Sequence, residues 1–372
     1  MTTRSDLVIV GAGPAGLATA LEAVRHGLSA TVIDRSQPPI DKPCGEGLLP
    51  AAVEGLLRLE VTIAPTDAFP ISGIRYIDGE IEAVGRFAAP ALGMRRWRLH
   101  RGMVERATAV GVKIAWGVSA RGLVSRGVES DGGLFPGRWL IGADGLASQV
   151  RRWGGFELDS TEPLRCGMRQ HFALAPWSHE VEVHFGPGCE AYVTPVAREE
   201  VGIALLWDGS KTDFDTLLAR FPALAARVAG RERRSPVQGV AGFDRRVNGV
   251  VRGNLALVGD ASGYRDALVG DGVALALAEA EALVSALVAG DLESYESAHE
   301  RIVRRSRWLT RALLWLARRP EKRRRVLEAL ADDPDLFDRL LDALSGVGTP
   351  PLSSLLPFLS LLNRAFRAMP AR

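Results

Sequence analysis

The chain has 372 residues and a formal net charge of +2, with 47% hydrophobic and 24% charged residues. That length allows one large or two medium domains with ample core, and the composition is that of an ordinary soluble globular protein. The near-neutral balance excludes a nucleic-acid binder on whole-molecule charge, so no nucleic-acid partner is expected.

The three cysteines, Cys44, Cys166 and Cys189, have no metal spacing and form no CxxC. They point to a reducing cytoplasm and to no metal site. The N-terminus runs straight into an apolar stretch, which leaves no room for a signal peptide. No window of 18 residues reads as apolar enough to span a bilayer.

In chain order, Leu7–Val10 is a short apolar run, followed by Gly11-Ala12-Gly13-Pro14-Ala15-Gly16 and a helical pattern from Leu17. A second apolar run, Ala30–Ile33, ends at Asp34, next to Arg35. Strand, glycine turn, helix, strand and acid at this spacing make the dinucleotide-binding fingerprint. Gly11 permits the tight turn, Gly13 admits a pyrophosphate, and Gly16 lets the helix pack on the strand. The helix N-terminus offers free N–H groups to phosphate. Asp34 can accept from a ribose diol.

A proline-rich loop then leads to Pro43-Cys44-Gly45-Glu46-Gly47-Leu48 and a helix from Ala51 to Leu59. This turn is either a helix entry or, given its place after the fingerprint acid, a cofactor contact. Residues 62–92 read as two or three short strands. A basic cluster, Arg95–Arg101, leads into a helix over Gly102–Val110 and either faces phosphate or is solvated. His100 in that cluster has no visible partner and reads as a packed or surface residue. Strands near Ala120–Arg126 and Arg138–Ile141 deliver the chain to Gly142-Ala143-Asp144-Gly145, where Asp144 can cap a short helix.

Between 161 and 250 the grammar changes to strands with hairpin-like turns: Arg165–Leu174, Glu180–Phe185, Glu190–Val196 and Glu200–Trp207. One face presents Arg169 and His171, another Glu182 and His184. Tyr192, Trp207 and Met168 are candidates to line a pocket. A helix is predicted over Asp213–Val228. The strand Asn254–Val258 ends at Gly259-Asp260-Ala261-Ser262-Gly263. A loop through Gly270-Asp271-Gly272-Val273 opens a helix over Ala274–Ala289. Residues 301–325 hold eleven Lys or Arg and one acid, Glu321. They read as a packed helix with a solvated basic face or as a membrane-surface helix. Leu352–Leu362, interrupted by Pro357, is a candidate lid.

Three motifs now stand in order: GxGxxG at Gly11, GADGxxSxVR at Gly142–Arg151, and GDASG at Gly259–Gly263. Together they resemble the FAD-dependent oxidoreductases of the p-hydroxybenzoate hydroxylase type. That class includes aromatic hydroxylases, flavin halogenases and geranylgeranyl reductases. The resemblance covers residues 1 to about 290. The Pro43–Leu48 turn and the chain length look closest to the geranylgeranyl-reductase-like branch. The resemblance implies an α/β fold: a Rossmann-like FAD-binding domain, an inserted antiparallel β-sheet substrate domain and a helical C-terminal region. FAD binding would fall to 1–61, 93–160 and 251–290, the substrate side to 62–92 and 161–250, and the helical region to 291–372.

By the same resemblance, Gly11, Gly13, Ala15 and Gly16 form the pyrophosphate turn and Asp34 with Arg35 meets the adenosine ribose. Cys44, Gly45 and Arg96 contact the cofactor. Asp144 and Gly145 serve both FAD and NAD(P)H. Gly259 and Asp260 meet the ribityl chain, and Gly270, Gly272 and Val273 pass under the isoalloxazine. There are departures. Where halogenases carry WxWxIP and many prenyl reductases YxWxFP, this chain has Ala191-Tyr192-Val193-Thr194-Pro195-Val196. Asp271 stands where glutamate is common, and Ala267 near a frequent proline. There is no second GxGxxG, so NAD(P)H would bind only transiently. The leading expectation is a cytoplasmic FAD monooxygenase that uses NAD(P)H and O2 to hydroxylate a hydrophobic aromatic or polyketide-like molecule. His171, His184 and Tyr192 are the candidate catalytic residues. The alternatives are an FAD-dependent reductase of isoprenoid double bonds, and a flavoprotein that works on a partner protein. The basic C-terminal helices would supply any peripheral membrane or partner-protein contact.

Overall fold

The computed structural model describes residues 4–159, 165–209 and 211–346. The candidate lid Leu352–Leu362 lies outside the described residues. The chain opens with β1 (Ser5–Val10), α1 (Pro14–Arg25) and β2 (Ala30–Asp34). A two-residue β3 (Gly47–Leu48) precedes α2 (Pro50–Arg58), β4 (Ala68–Asp78), β5 (Ile81–Met94) and α3 (Arg96–Ala109). Then come β6 (Lys113–Trp116), β7 (Ala120–Val124), β8 (Gly127–Ser130), β9 (Gly133–Gly142) and α4 (Gln149–Trp153). Next are β10 (Glu157–Leu158), β11 (Arg165–Ala173), β12 (Glu180–Gly186), β13 (Cys189–Ala197) and β14 (Glu200–Asp208). Helices α5 (Phe214–Leu218) and α6 (Pro222–Val228) lead to the short β15 (Gln238–Ala241), β16 (Arg246–Val247), β17 (Val251–Arg252) and β18 (Leu255–Leu257). A 3-10 turn at Gly259–Ser262 precedes α7 (Gly272–Ala289), α8 (Ser294–Ala317), α9 (Pro320–Ala331) and α10 (Pro334–Ser345).

The architecture is α/β. The first sheet runs β17-β18-β9-β1-β2-β6, with β18, β9, β1, β2 and β6 parallel. Its central strands are buried on both faces, which explains why Leu7–Val10 and Ala30–Ile33 read as continuous apolar runs. Helices α1, α2, α3 and α7 share its core. The second sheet runs β15-β11-β14-β13-β12-β4-β5-β3 and is antiparallel except where β12 meets β4. Helices α5 and α6 cover one face of its centre, and α9 and α10 pack on β4 and β5.

Several expectations need correction. Helix α3 starts at Arg96, not Gly102, because its inward stripe of Leu99, His100, Met103 and Ala107 begins within the basic cluster. Gly102 is instead a close-contact position: a Cβ there would lie 3.2 Å from the Thr62 carbonyl. The single helix expected over Asp213–Val228 is two, because Pro222 cannot donate to the previous turn and restarts the helix as its first residue. Residues 62–92 hold two long strands, joined at the Asp78-Gly79 turn. One helix among the described residues, α7, is long and apolar enough to cross a membrane, contrary to the sequence reading. Half of it is buried, with Leu277, Leu283, Val284 and Leu287 in the core beneath α1 and α2.

Candidate active site

The glycine turn after β1 is shaped by contact as well as by conformation. Gly11 has φ +108°, and a Cβ there would lie 2.3 Å from the Ala143 carbonyl oxygen. At Gly16 a Cβ would lie 1.9 Å from the Gly11 oxygen, so α1 sits directly on the turn. Gly13 differs: the nearest atom is the Arg96 Nη2 at 3.9 Å, and the space in front of it stays open. Ala15 packs against Gly259, whose own Cβ would come within 2.6 Å of it, so the first and third motifs touch. Asp34 shapes the turn through Oδ2, which accepts from the Ala12 N–H at 2.8 Å, and Oδ1, which accepts from the Ser36 N–H at 2.8 Å. Each oxygen keeps a lone pair for a sugar hydroxyl. Arg35 beside it is exposed.

His100 has partners that the sequence concealed. Its Nε2 lies 2.9 Å from the Ala12 carbonyl and its Nδ1 accepts from the Ile40 N–H at 3.1 Å. These partners require a neutral ring with the proton on Nε2. Burial, then the nearby Arg96, lower its pKa to about 4, in keeping with that tautomer.

Arg96 is the point on which the motifs converge. Its backbone N–H donates to Glu46 Oε1 at 2.8 Å. Cys44, Asp41, Asp260 and Glu46 are all electrostatic neighbours of its guanidinium. The side chain is buried, yet Nη1 has no hydrogen-bond partner among the described residues. A second cation, Lys42, lies with Nζ 3.9 Å from where a Gly145 Cβ would be, and it acts on Asp260. Burial raises the Asp260 carboxyl, against the pull of Lys42, Arg96 and Arg151. At Gly45, Gly270 and Gly272 a Cβ would meet nothing within 4 Å. Helix α7 starts at Gly272, with Val273 half-buried behind it, and α1 starts at Pro14 with no acid in its first turn. An orphaned buried guanidinium, an ammonium, a helix N-terminus and an open glycine face suit a pyrophosphate. The residues therefore fit FAD. Arg96, Lys42 and Gly13 would hold the phosphates, Asp34 the adenosine side, and Asp260 with the Gly270–Val273 loop the flavin side.

The second motif is occupied with holding itself together. Asp144 accepts from the Gln149 and Val150 N–H groups at 2.7 and 3.2 Å, the first two donors of α4, whose N-cap residue is Ser148. Ser148, which also bonds Asp144, accepts from the Arg151 N–H at 2.9 Å. Gly145 takes φ +80°. Arg151 is fully buried and donates to the carbonyls of Leu146, Asp260 and Ala261. It clamps the second motif to the third, a role that no spacing along the chain reveals.

The candidate catalytic residues separate. His171 and Tyr192 lie on the face of the second sheet that carries Arg165, Arg169, Glu190 and Thr194. His184 lies on the opposite face, bonded to Glu182 at 3.0 Å and edge-on to Phe221 of the α5–α6 layer. The sheet itself lies between His184 and the face that carries Arg169, so the structure does not bring His184 together with His171 and Tyr192. Trp207 and Met168 also belong to the α5–α6 face and do not join Tyr192 in a pocket. Tyr192 instead packs with Leu206, Phe243, Leu268 and Tyr264, its hydroxyl 3.4 Å from the Leu268 carbonyl.

His171 is bonded through Nε2 to Glu46 and through Nδ1 to Ser235 Oγ at 2.8 Å. Glu46 also accepts from Arg169, which donates to Asp41 at 3.0 Å and Gln238 at 2.8 Å. Glu46 is buried and takes φ +62°, a conformation costly for a residue with a Cβ and common at functional turns. Burial opposes its ionisation, but His171, Arg169 and the Arg96 N–H outweigh it and lower its pKa. Cys44 Sγ accepts from the Glu46 N–H at 3.3 Å, and burial pushes the thiol up, so it keeps its proton. The turn thus holds a protonated thiol and an ionised carboxylate with a histidine, two residues apart. Glu46 and Lys42 escaped the sequence reading, although the glycines around Glu46 marked the turn.

A family described as FAD binding domain matches residues 4–294. The chain is 29% identical over 326 residues to a menaquinone reductase of Mycolicibacterium smegmatis, covering 80% of each sequence. It is 27% identical over 304 residues to digeranylgeranylglycerophospholipid reductase 2 of Methanosphaera stadtmanae, covering 74% of this chain and 75% of that one. A flavoprotein/dehydrogenase from Cytophaga hutchinsonii superposes with a TM-score of 0.81 at 18% identity, covering 92% of this chain and 93% of that one.

Proposed function

The chain belongs to the FAD binding domain family and is an FAD-dependent oxidoreductase; from that premise we propose that it reduces a carbon–carbon double bond in an isoprenoid lipid. The likeness to two reductases over about three quarters of the chain or more carries this reading. It moves the preference from the monooxygenase to the reductase.

Saturating a double bond takes a hydride and a proton. When bound and reduced, FAD supplies the hydride. The chain supplies the rest. Cys44 holds a proton on Sγ beside the open Gly45. Glu46 and His171 form a buried pair able to replace it through Ser235. The apolar cluster of Leu206, Phe243, Leu268 and Tyr192 excludes water from one side. NAD(P)H is the proposed electron donor.

The test uses full-length, FAD-loaded protein reduced without oxygen. A lipid bearing geranylgeranyl chains, or a polyprenyl quinone, is then added. The reductase reading expects the flavin to reoxidise and the lipid to gain one H2 per double bond. Failure of every prenyl lipid, with oxygen-dependent insertion of an oxygen atom into an aromatic substrate, would restore the monooxygenase.

A further inference from the structure

The basic stretch over 301–325 is divided by the fold. Arg305 is held to the body by the Ala343 carbonyl, Arg318 by Asp208, and Arg323 and Arg324 by Asp78, while Arg307 pairs with Glu300 on α8 itself. Arg301, Arg304, Trp308, Arg311 and Trp315 lie elsewhere, all exposed on α8. At 3.6 residues per turn they fall within an arc of about 80°. Trp308 is 49% and Trp315 42% exposed, high values for the largest apolar side chain. At the end of the stripe, the Arg319 guanidinium lies 4.5 Å and the Lys322 ammonium 4.8 Å from the Trp315 ring. The reverse side of α8 packs inward, with Val303 and Thr310 buried and Leu313 and Leu314 against the Tyr192–Leu268 cluster.

We infer that this stripe is a docking surface for an anionic lipid bilayer. Tryptophan places an apolar body and one N–H at the depth of the headgroups, and arginine and lysine keep their charges there while their stems lie on apolar surface. Alternating the two along one narrow arc matches an interface that is apolar below and negative above. A nucleic acid or an acidic protein would use the charges but gives the arc of tryptophans no such two-layered environment. Because Leu313 and Leu314 reach the cluster beside the flavin loop, docking would set the site directly over the lipid.

The experiment is co-sedimentation of full-length, FAD-loaded protein with vesicles, read without turnover, so that it stands apart from the reductase assay. Vesicles of phosphatidylcholine alone are compared with vesicles containing phosphatidylglycerol, with added salt as a control. The expected result is binding at least about tenfold stronger to the anionic vesicles, weakening as salt rises. R301E/R311E should lose that advantage while retaining FAD. W308A/W315A should abolish quenching of tryptophan fluorescence by lipids brominated in their acyl chains. Equal binding by wild type and both variants would overturn the inference. So would binding to neither vesicle, retention on heparin without vesicle binding, or binding that disappears only on deleting residues 347–372.

Discussion

Arg96 carries a buried nitrogen with no partner among the described residues, which is costly unless a ligand supplies one. Arg96→Met should weaken FAD binding by about 10- to 100-fold, the equivalent of a lost charge-assisted hydrogen bond of about 1.5–3 kcal/mol. Cofactor-free protein should be no less stable for the change, because the orphan goes with the side chain. Titration of flavin fluorescence and melting with and without FAD check both halves. Glu46→Gln should behave oppositely. It leaves the buried Arg169 and His171 without their carboxylate and should cost about 3–5 kcal/mol in denaturant unfolding. The Glu46 pKa is lowered on folding, so its contribution is complete above its ordinary value of 4.5 and drains away as pH falls through the folded value. The variant should lack that acid-side loss. The three glycines of the first turn were legible because each has a local steric task. The Glu46–His171 pair was not, because its members lie 125 residues apart and only the folded second sheet brings them together.

At the scale of elements, periodicity served well where one face is buried and failed where charge masked the pattern. The four strands from β11 to β14 fall within a residue or two of their expected limits, and the alternation that put Arg169 with His171 and Glu182 with His184 is the observed one. Alternation alone did not say which face meets the first sheet; the α5–α6 layer decides that. Helix α3 reads short in the sequence because Arg96 and Arg98 have the character of surface residues, although Arg96 points inward. Strand β8 leaves little signal in the sequence because it is four residues long and is joined to β7 and β9 by tight turns. Helix α4 is five residues long and depends on its N-cap Ser148 and on Asp144, which accepts from its first two N–H groups. Asp144→Ala should cost about 1 kcal/mol of stability and loosen the Leu146–Ser148 turn, measurable as faster amide exchange there. Should exchange stay unchanged, Asp144 is not the group that fixes the turn.

Across the whole molecule, buried charge ties the second sheet to the flavin loop. Arg165 on β11 reaches Glu190 at 2.6 Å, Asp208 at 3.0 Å and Asp266, on the flavin loop, at 2.7 Å. Beneath the third motif, Glu279 accepts from the Gly259 N–H at 2.6 Å, and burial raises its pKa to about 8. Between pH 4.5 and 8 the folded chain holds that proton and the unfolded chain releases it. This group's contribution to stability should therefore fall as pH rises through that window, with a slope of up to about 1.4 kcal/mol per pH unit, and it shows most clearly above the ordinary histidine value of 6.5, where the depressed His100 and His299 no longer act in the opposite sense. Glu279→Gln should flatten the slope in urea titrations at a series of pH values; an unchanged slope would assign it to other groups. The order of the first sheet has a further consequence, for synthesis. On the ribosome β1, α1 and β2 emerge early, but the neighbour that closes the other edge of β1 begins only at Gly133. The carbonyl of Ala143 that roofs Gly11, and the Gly259 that meets Ala15, arrive later still. For that interval the nascent chain carries an apolar strand with one open edge, able to recruit a like strand from a neighbouring polysome. The yield of folded protein should then depend on how quickly residues 35–142 are translated, more than on the stability of the finished fold.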